Sequence, residues 1–294
     1  MAIAMLALHF LVAFSNKFLG KKLQLGFQFD APRFVYLNLL NALLATCFYL
    51  CSIGGRLIFN THMVICSAAY ALLCFTSVIH GVVVYKYITI PLFSVMSISG
   101  SMLGSAFFGY VVLKEEFRIL RVLAMLIVII SVIIPMKEIL SGKYKLHKKG
   151  FVFCVTSFVI SAAGSVGGSL YLAFSDMVPK PYYALTNVFL VLLSLIILSC
   201  FLFLGRIRVR ELAKLFCVGQ LGIIAGQAGL NFSSALIGIV LRTLLPVSML
   251  SIINSALGMI ATVAVSLLCF REKLSRAQVC SFVLLLIATA LCAV

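Results

Sequence analysis

Few residues of this chain can do chemistry, and most of them sit in apolar surroundings. Ser94, Ser97 and Ser101 recur at i, i+3 and i+7 and so share one face of a helix. Ser248, Ser251 and Ser255 repeat that spacing with Asn254 beside them. In an apolar helix such groups hydrogen-bond either a polar substrate or a neighbouring helix, and both uses select the same pattern. His80, in Thr76-Ser77-Val78-Ile79-His80, is the candidate titrating side chain, with His9 behind it. Lys17 could pair with a substrate carboxylate or phosphate if its helix continues to about Lys22; otherwise it reaches out to lipid headgroups. Gln227 leads a second rank that includes Gln220, Asn231, Ser165, Tyr171, Asn38 and Asn41. Lys86 and Arg242 are read as cavity-mouth or anchoring cations.

The acids exclude as much as the other residues suggest. Asp30, Glu115, Glu116, Glu138, Asp176, Glu211 and Glu272 all fall at the expected ends of apolar segments or between them. A cation held in a low-dielectric cavity needs a carboxylate partner, so the pattern argues against a cationic substrate. No G-x-x-x-x-G-K-[ST] loop appears, which argues against a nucleotide-driven pump within this chain. The ten cysteines form no C-x-x-C pair and read as small packing residues.

These groups must be positioned by membrane helices. The chain is 64% hydrophobic and only 10% charged, with mean hydropathy +1.23, far from the range of soluble domains. Charged or Gly/Pro-containing breaks divide it into ten apolar segments: 1–19, 33–52, 63–86, 88–113, 118–135, 150–174, 182–204, 216–241, 245–270 and 275–293. Residues 1–19 are taken as a retained first span and not a cleaved leader. Tyr36, Tyr85, Tyr87, Tyr110, Tyr144, Tyr182 and Tyr183 fall near segment ends, where an amphipathic ring suits the membrane interface. Gly219, Gly222, Gly226 and Gly229 form a small-residue stripe, and Gly100-xxx-Gly104 and Gly164-xxx-Gly168 add two close-approach motifs.

A shift of 157 positions superposes Glu115 on Glu272, Ser94 on Ser251, Gly81 on Gly238 and Lys114 on Arg271. The fold expected is all-α integral membrane, with ten transmembrane helices as a five-plus-five inverted repeat. Residues 1–140 form the first repeat, 141–149 a basic linker and 150–294 the second. An odd number of spans per repeat makes the second enter from the opposite face and places a binding site near the midplane. Segments after odd-numbered spans hold 17 of the 23 Lys and Arg, which puts the odd loops in the cytoplasm. The net charge of +16 then needs only an anionic lipid surface, and nucleic acid is not expected as a partner. Glu115 and Glu116 are expected to favour the start of span 5, and Ser275 with Gln278 has capping-box spacing.

With hairpins reading Leu113-Lys114-Glu115-Glu116 and Phe270-Arg271-Glu272-Lys273-Leu274-Ser275, the chain resembles the EamA-like branch of the drug/metabolite transporter (DMT) superfamily over essentially its whole length. The segments Leu245 to Ser275 and Ile90 to Phe117 carry the resemblance. It implies a secondary carrier working by alternating access, with spans 1–4 and 6–9 around a central cavity and spans 5 and 10 peripheral. Ser15-Asn16-Lys17 looks like the Asn-Lys pair of nucleotide-sugar and sugar-phosphate carriers. Small multidrug carriers have an acid inside their first span, and this chain has none there.

The function expected is secondary transport of a small polar metabolite that is neutral, zwitterionic or anionic, such as an amino acid or sugar derivative. Alternatives are a nucleotide-sugar or phosphate-ester exchanger, a lipid flippase and, from another class, an intramembrane Ser/His hydrolase using His80. No nucleophile motif or carboxylate pair accompanies that last reading, and the chain is not expected to be an enzyme. The partners expected are a small-molecule substrate and the bilayer of the plasma membrane, with a homodimer left open and no cofactor or metal.

Overall fold

The computed structural model describes residues 2–26, 31–57, 59–84, 87, 90–116, 119–140, 148–204, 218–269 and 275–293. Among them are ten α-helices and no strand: α1 (Ala2–Gly26), α2 (Ala31–Ser52), α3 (Thr61–Val84), α4 (Ile90–Val111), α5 (Ile119–Leu140), α6 (Lys148–Gly167), α7 (Pro179–Phe203), α8 (Val218–Leu244), α9 (Val247–Ala264) and α10 (Arg276–Ala293). Six of them, α2, α3, α4, α6, α7 and α8, contain stretches long and apolar enough to cross a bilayer, as in a membrane-embedded protein. The other four carry shorter apolar runs, Ala4–Asn16, Val122–Ile134, Leu257–Cys269 and Arg276–Leu291.

Three features differ from the expected segments. α1 continues through Lys22 to Gly26, so Lys17 lies inside a continuous helix. α6 stops at Gly167 and gives way to a short 3-10 turn, Leu170–Leu172. α9 passes into a π-helical turn, Val265–Cys269, before the expected hairpin. Helix starts follow the repeat: α3, α4 and α5 begin at 61, 90 and 119, and α8, α9 and α10 begin 157 positions later at 218, 247 and 276.

The chain divides into two compact units. The first contains Met1–Phe10, Val84–Ser169 and Val240–Val294. Its main core joins Val95 and Met102 of α4, Ala124 and Val128 of α5, Met259 of α9, and Phe282, Leu285 and Ala288 of α10. The outer faces of α5 and α10 remain exposed and apolar, at Leu123, Leu126, Ile130, Ile133, Val283 and Ile287 among others. Lipid suits such faces.

The α4–α6 seam of this unit is set by glycine. A Cβ on Gly100 would overlap the Phe158 carbonyl oxygen, and one on Gly104 would lie 2.8 Å from Ala162 Cα. Both partners advance by four residues, so α4 and α6 run parallel, and the chain must reverse through α5 between them. The expected Gly100-xxx-Gly104 contact is therefore real, whereas Gly164 has open space where a side chain would be.

The second unit contains Leu11–Val83 and Leu170–Ile239. Val35, Tyr36 and Leu39 of α2 pack with Phe75 of α3 and Leu198 of α7. Nearer the start of α7, Met63, Tyr171, Met177, Tyr182 and Leu185 form a second buried group. Tyr36 and Tyr182 are thus core residues and not the interface anchors their positions near segment ends suggested. The α8 glycines also depart from expectation: a side chain on Gly222 would meet nothing, while one on Gly226 would come 3.3 Å from Leu19. That face is loose, unlike the α4–α6 seam.

Candidate functional site

Helix ends explain most charged side chains. Lys114 adopts a left-handed backbone (φ 53), which ends α4 and lets the Glu115 N–H close onto the Gly109 carbonyl at 3.0 Å. Glu115 is thereby aimed at another helix: its Oε1 accepts from the Val247 N–H, the first residue of α9, at 2.7 Å. A carboxylate suits that end of the helix dipole. Glu115 therefore serves α9 and not, as expected from adjacency, α5. The contact also sets the end of α4 beside the start of α9, so these equivalent helices run antiparallel.

Arg242 likewise has a protein partner. Its Nη1 donates to the Gly168 carbonyl at 3.2 Å and its Nη2 to Ser169 Oγ at 3.4 Å, closing the end of α6. The expected capping box at α10 is present, with the Ser275 N–H donating to Gln278 Oε1 at 2.9 Å and the Gln278 N–H to Ser275 Oγ at 3.2 Å.

Inside the helices the polar groups are neutral. In the first unit Ser97 shares a 2.6 Å hydrogen bond with Ser161 of α6. Ser94 is buried and Ser101 half-buried on the same helix. The position equivalent to Ser97 is Asn254 on α9, and its Oδ1 is buried without a hydrogen-bond partner. One repeat thus satisfies this position internally and the other leaves an acceptor vacant. His9 Nδ1 and Ser99 Oγ are likewise buried and unpartnered.

In the second unit the amides of four helices converge in pairs. Asn16 Nδ2 donates to Asn231 Oδ1, joining α1 to α8. Asn38 Nδ2 donates to Ser194 Oγ at 3.1 Å, joining α2 to α7. Gln227 is half-buried one turn before Asn231, and Asn41, three residues beyond Asn38, has a buried Oδ1 with no partner. Tyr49, Tyr70, Tyr171, Tyr182 and Tyr183 cluster beside them, with ring centroids 5.5 to 6.4 Å apart.

The expected site residues therefore separate. Ser94, Ser97, Ser101 and Asn254 belong to the first unit, and His80 and Gln227, both half-buried, to the second. The side chains of Lys17, Ser248, Ser251 and Ser255 lie outside the described residues, as do those of Lys86, Gln220, Glu138, Glu211, Glu272 and Asp30. The described acids Glu115, Glu116 and Asp176 all lie in turns. Among the described residues no group of His, Cys, Asp and Glu could hold a metal ion. The second-unit tyrosines and Asp176 with its partners were missed, since their grouping depends on contacts between residues more than 100 positions apart.

Ser97→Ala tests what the serine face does. Loss of one interhelical hydrogen bond is expected to lower stability by only about 0.6 kcal/mol. A melting curve in detergent reads that, and a loss of ligand response beyond it would make Ser97 a substrate contact.

No family model matches the chain, and no curated protein matches it. Among solved structures 27 chains match. One, described as "Crystal structure of protein", covers 97% of this chain and 98% of its own, with TM-score 0.60 and 14% identity. Such identity speaks to the fold alone, and the mutual coverage extends it over the full length of both chains.

Proposed function

We propose that this chain is a ten-span secondary transporter of the drug/metabolite transporter superfamily, EamA-like, carrying a small polar metabolite by alternating access. The observation that carries this reading is the relation of α4 to α9. They are equivalent under the 157-residue shift, run antiparallel, and each holds a polar residue, Ser97 or Asn254, at the same repeat position within an apolar helix. Antiparallel equivalents are what an inverted repeat requires, and inverted repeats with polar midspan groups are a carrier architecture. The repeats are residues 1–140 and 150–294.

Recognition in this reading rests on neutral hydrogen-bonding groups. Asn41 and Asn254 each present a buried carbonyl acceptor with no partner, which calls for a ligand rich in N–H or O–H donors. Such groups replace hydration during passage and perform no bond chemistry, so the protein is not an enzyme and needs no cofactor. The plasma membrane, with odd loops in the cytoplasm, fits the distribution of Lys and Arg. A second reading, a nucleotide-sugar or phosphate-ester exchanger, draws on Asn16: it bonds Asn231 inside the second unit, and Lys17 follows it on the same continuous helix.

Thermal stabilisation against neutral, zwitterionic, anionic and cationic metabolites tests both. A ligand at 100 times its Kd stabilises by about 2.7 kcal/mol. Asn254→Leu is expected to abolish the response to neutral or zwitterionic ligands while leaving the unliganded protein as stable as before, because no hydrogen bond is lost. Anionic ligands whose effect vanishes in Lys17→Ala favour the exchanger. Silence across all classes, with no counterflow in vesicles, would end the transporter reading.

A further inference from the structure

Three sets of hydrogen bonds join connections between helices, and all of them join even-numbered connections. Asn60, at the start of α3, donates through Nδ2 to the Asp176 carbonyl at 2.9 Å and to Asp176 Oδ2 at 3.0 Å. His62 Nδ1 lies 3.1 Å from the same Oδ2, with its ring stacked on Phe174 at 4.7 Å. These tie the second connection to the sixth. Glu115 and the Val247 N–H tie the fourth to the eighth. Arg242 with Gly168 and Ser169 ties the eighth to the sixth. If every helix crosses the bilayer once, all these connections lie on one face.

We propose that these contacts are latches of that face, which release when the carrier passes to its other state. The inference rests on the transporter reading above. Its physical basis is where the bonds sit. Each joins the end of one helix to the end of another, where a small tilt produces the largest displacement. A helix about 33 Å long that tilts by about 10° about its midpoint moves its end by about 3 Å. That breaks a bond of 2.7 to 3.2 Å while midspan packing changes little. The bonds are also chemically suited to reversal. Glu115 faces the positive end of α9 and Arg242 the negative end of α6, so each charge is held by a helix terminus that water can replace. The α4–α6 glycine seam, packed backbone to backbone, offers no such exchange.

Arg242 occupies a special place in the set. Chain order passes from the second unit to the first between Ile239 and Val240, and from the first to the second between Ser169 and Leu170. Arg242 and its acceptors Gly168 and Ser169 are therefore the residues next to both passages. Releasing this one side chain frees both.

Hydrogen exchange of the full chain in lipid nanodiscs tests the latches without a substrate, comparing wild type with Arg242→Gln and Glu115→Gln. Arg242→Gln is expected to speed exchange by about tenfold at even-side ends it does not touch, Asn60 to Val64 and Val247 to Leu250. Odd-side ends, Ile90 to Phe93 and Ser275 to Val279, should slow at the same time, as a shift between two states requires. Glu115→Gln, which keeps the side-chain shape, should give the same reciprocal pattern and carries the test if the arginine variant does not fold. Faster exchange confined to the altered contact, or faster exchange at both sets of ends, would overturn the proposal and leave Glu115 and Arg242 as local caps. Failure of the transporter reading shows separately, as silence in the ligand panel.

Discussion

Gly104→Leu is expected to lower the stability of the purified protein by about 3 kcal/mol, at the upper end of the usual range for overpacking. The obstacle is backbone: a Cβ at this position meets Ala162 Cα at 2.8 Å, and the next methylenes have nowhere to go. A flexible side chain could swing aside, but a helix axis can yield only by moving the whole of α6 away from α4. Movement would also stretch the 2.6 Å bond between Ser97 and Ser161, coupling the two losses. Gly222→Leu is the control, because a side chain there has open space, and its expected effect is within about 0.5 kcal/mol. Melting of both variants in detergent decides the matter. Equal effects would mean that the seam gives way and that α4 and α6 are not held as a rigid pair.

The two glycine motifs show what sequence can and does not express. Apolar length, charged breaks and the 157-residue shift are local or periodic properties, and they locate ten helices with starts within a few residues. The capping box at Ser275 and Gln278 is local too, and it forms as its spacing indicates. Partner choice is different. Gly100-xxx-Gly104 and Gly164-xxx-Gly168 look alike as text, yet only the first meets a neighbour, because contact depends on which helix arrives at that face. Glu115 was assigned to the adjacent helix and instead reaches Val247, 132 positions away. Asn16 and Asn231, 215 positions apart, could each be read as polar but not as a pair. The candidate site was therefore legible as a set of residue types, with neutral amides and hydroxyls in apolar helices, but not as a set of contacts.

Tyr182→Ala is expected to cost about 3 kcal/mol, whereas Tyr182→Phe should cost less than about 1 kcal/mol. Position near a segment end suggested an interface ring, whose removal changes little. The ring is instead fully buried, at 0% exposure, against Tyr70, Tyr171 and Tyr183 at 6.0, 5.7 and 5.5 Å. In a membrane protein the unfolded helices stay in lipid, so little of the loss is transfer from water; it is lost dispersion contact and a cavity, which places the value low in the range for aromatic truncation. The backbone around Tyr182 adds a second effect. Its carbonyl accepts from Ser67 Oγ at 3.2 Å and Thr186 Oγ1 at 2.8 Å, so collapse of the ring site would disturb the α3–α7 contact as well. Comparing melting and ligand response in the two variants separates packing from chemistry. A phenylalanine variant that melts normally but no longer responds to ligand would make the hydroxyl a substrate contact, and an alanine variant that melts normally would return Tyr182 to the interface.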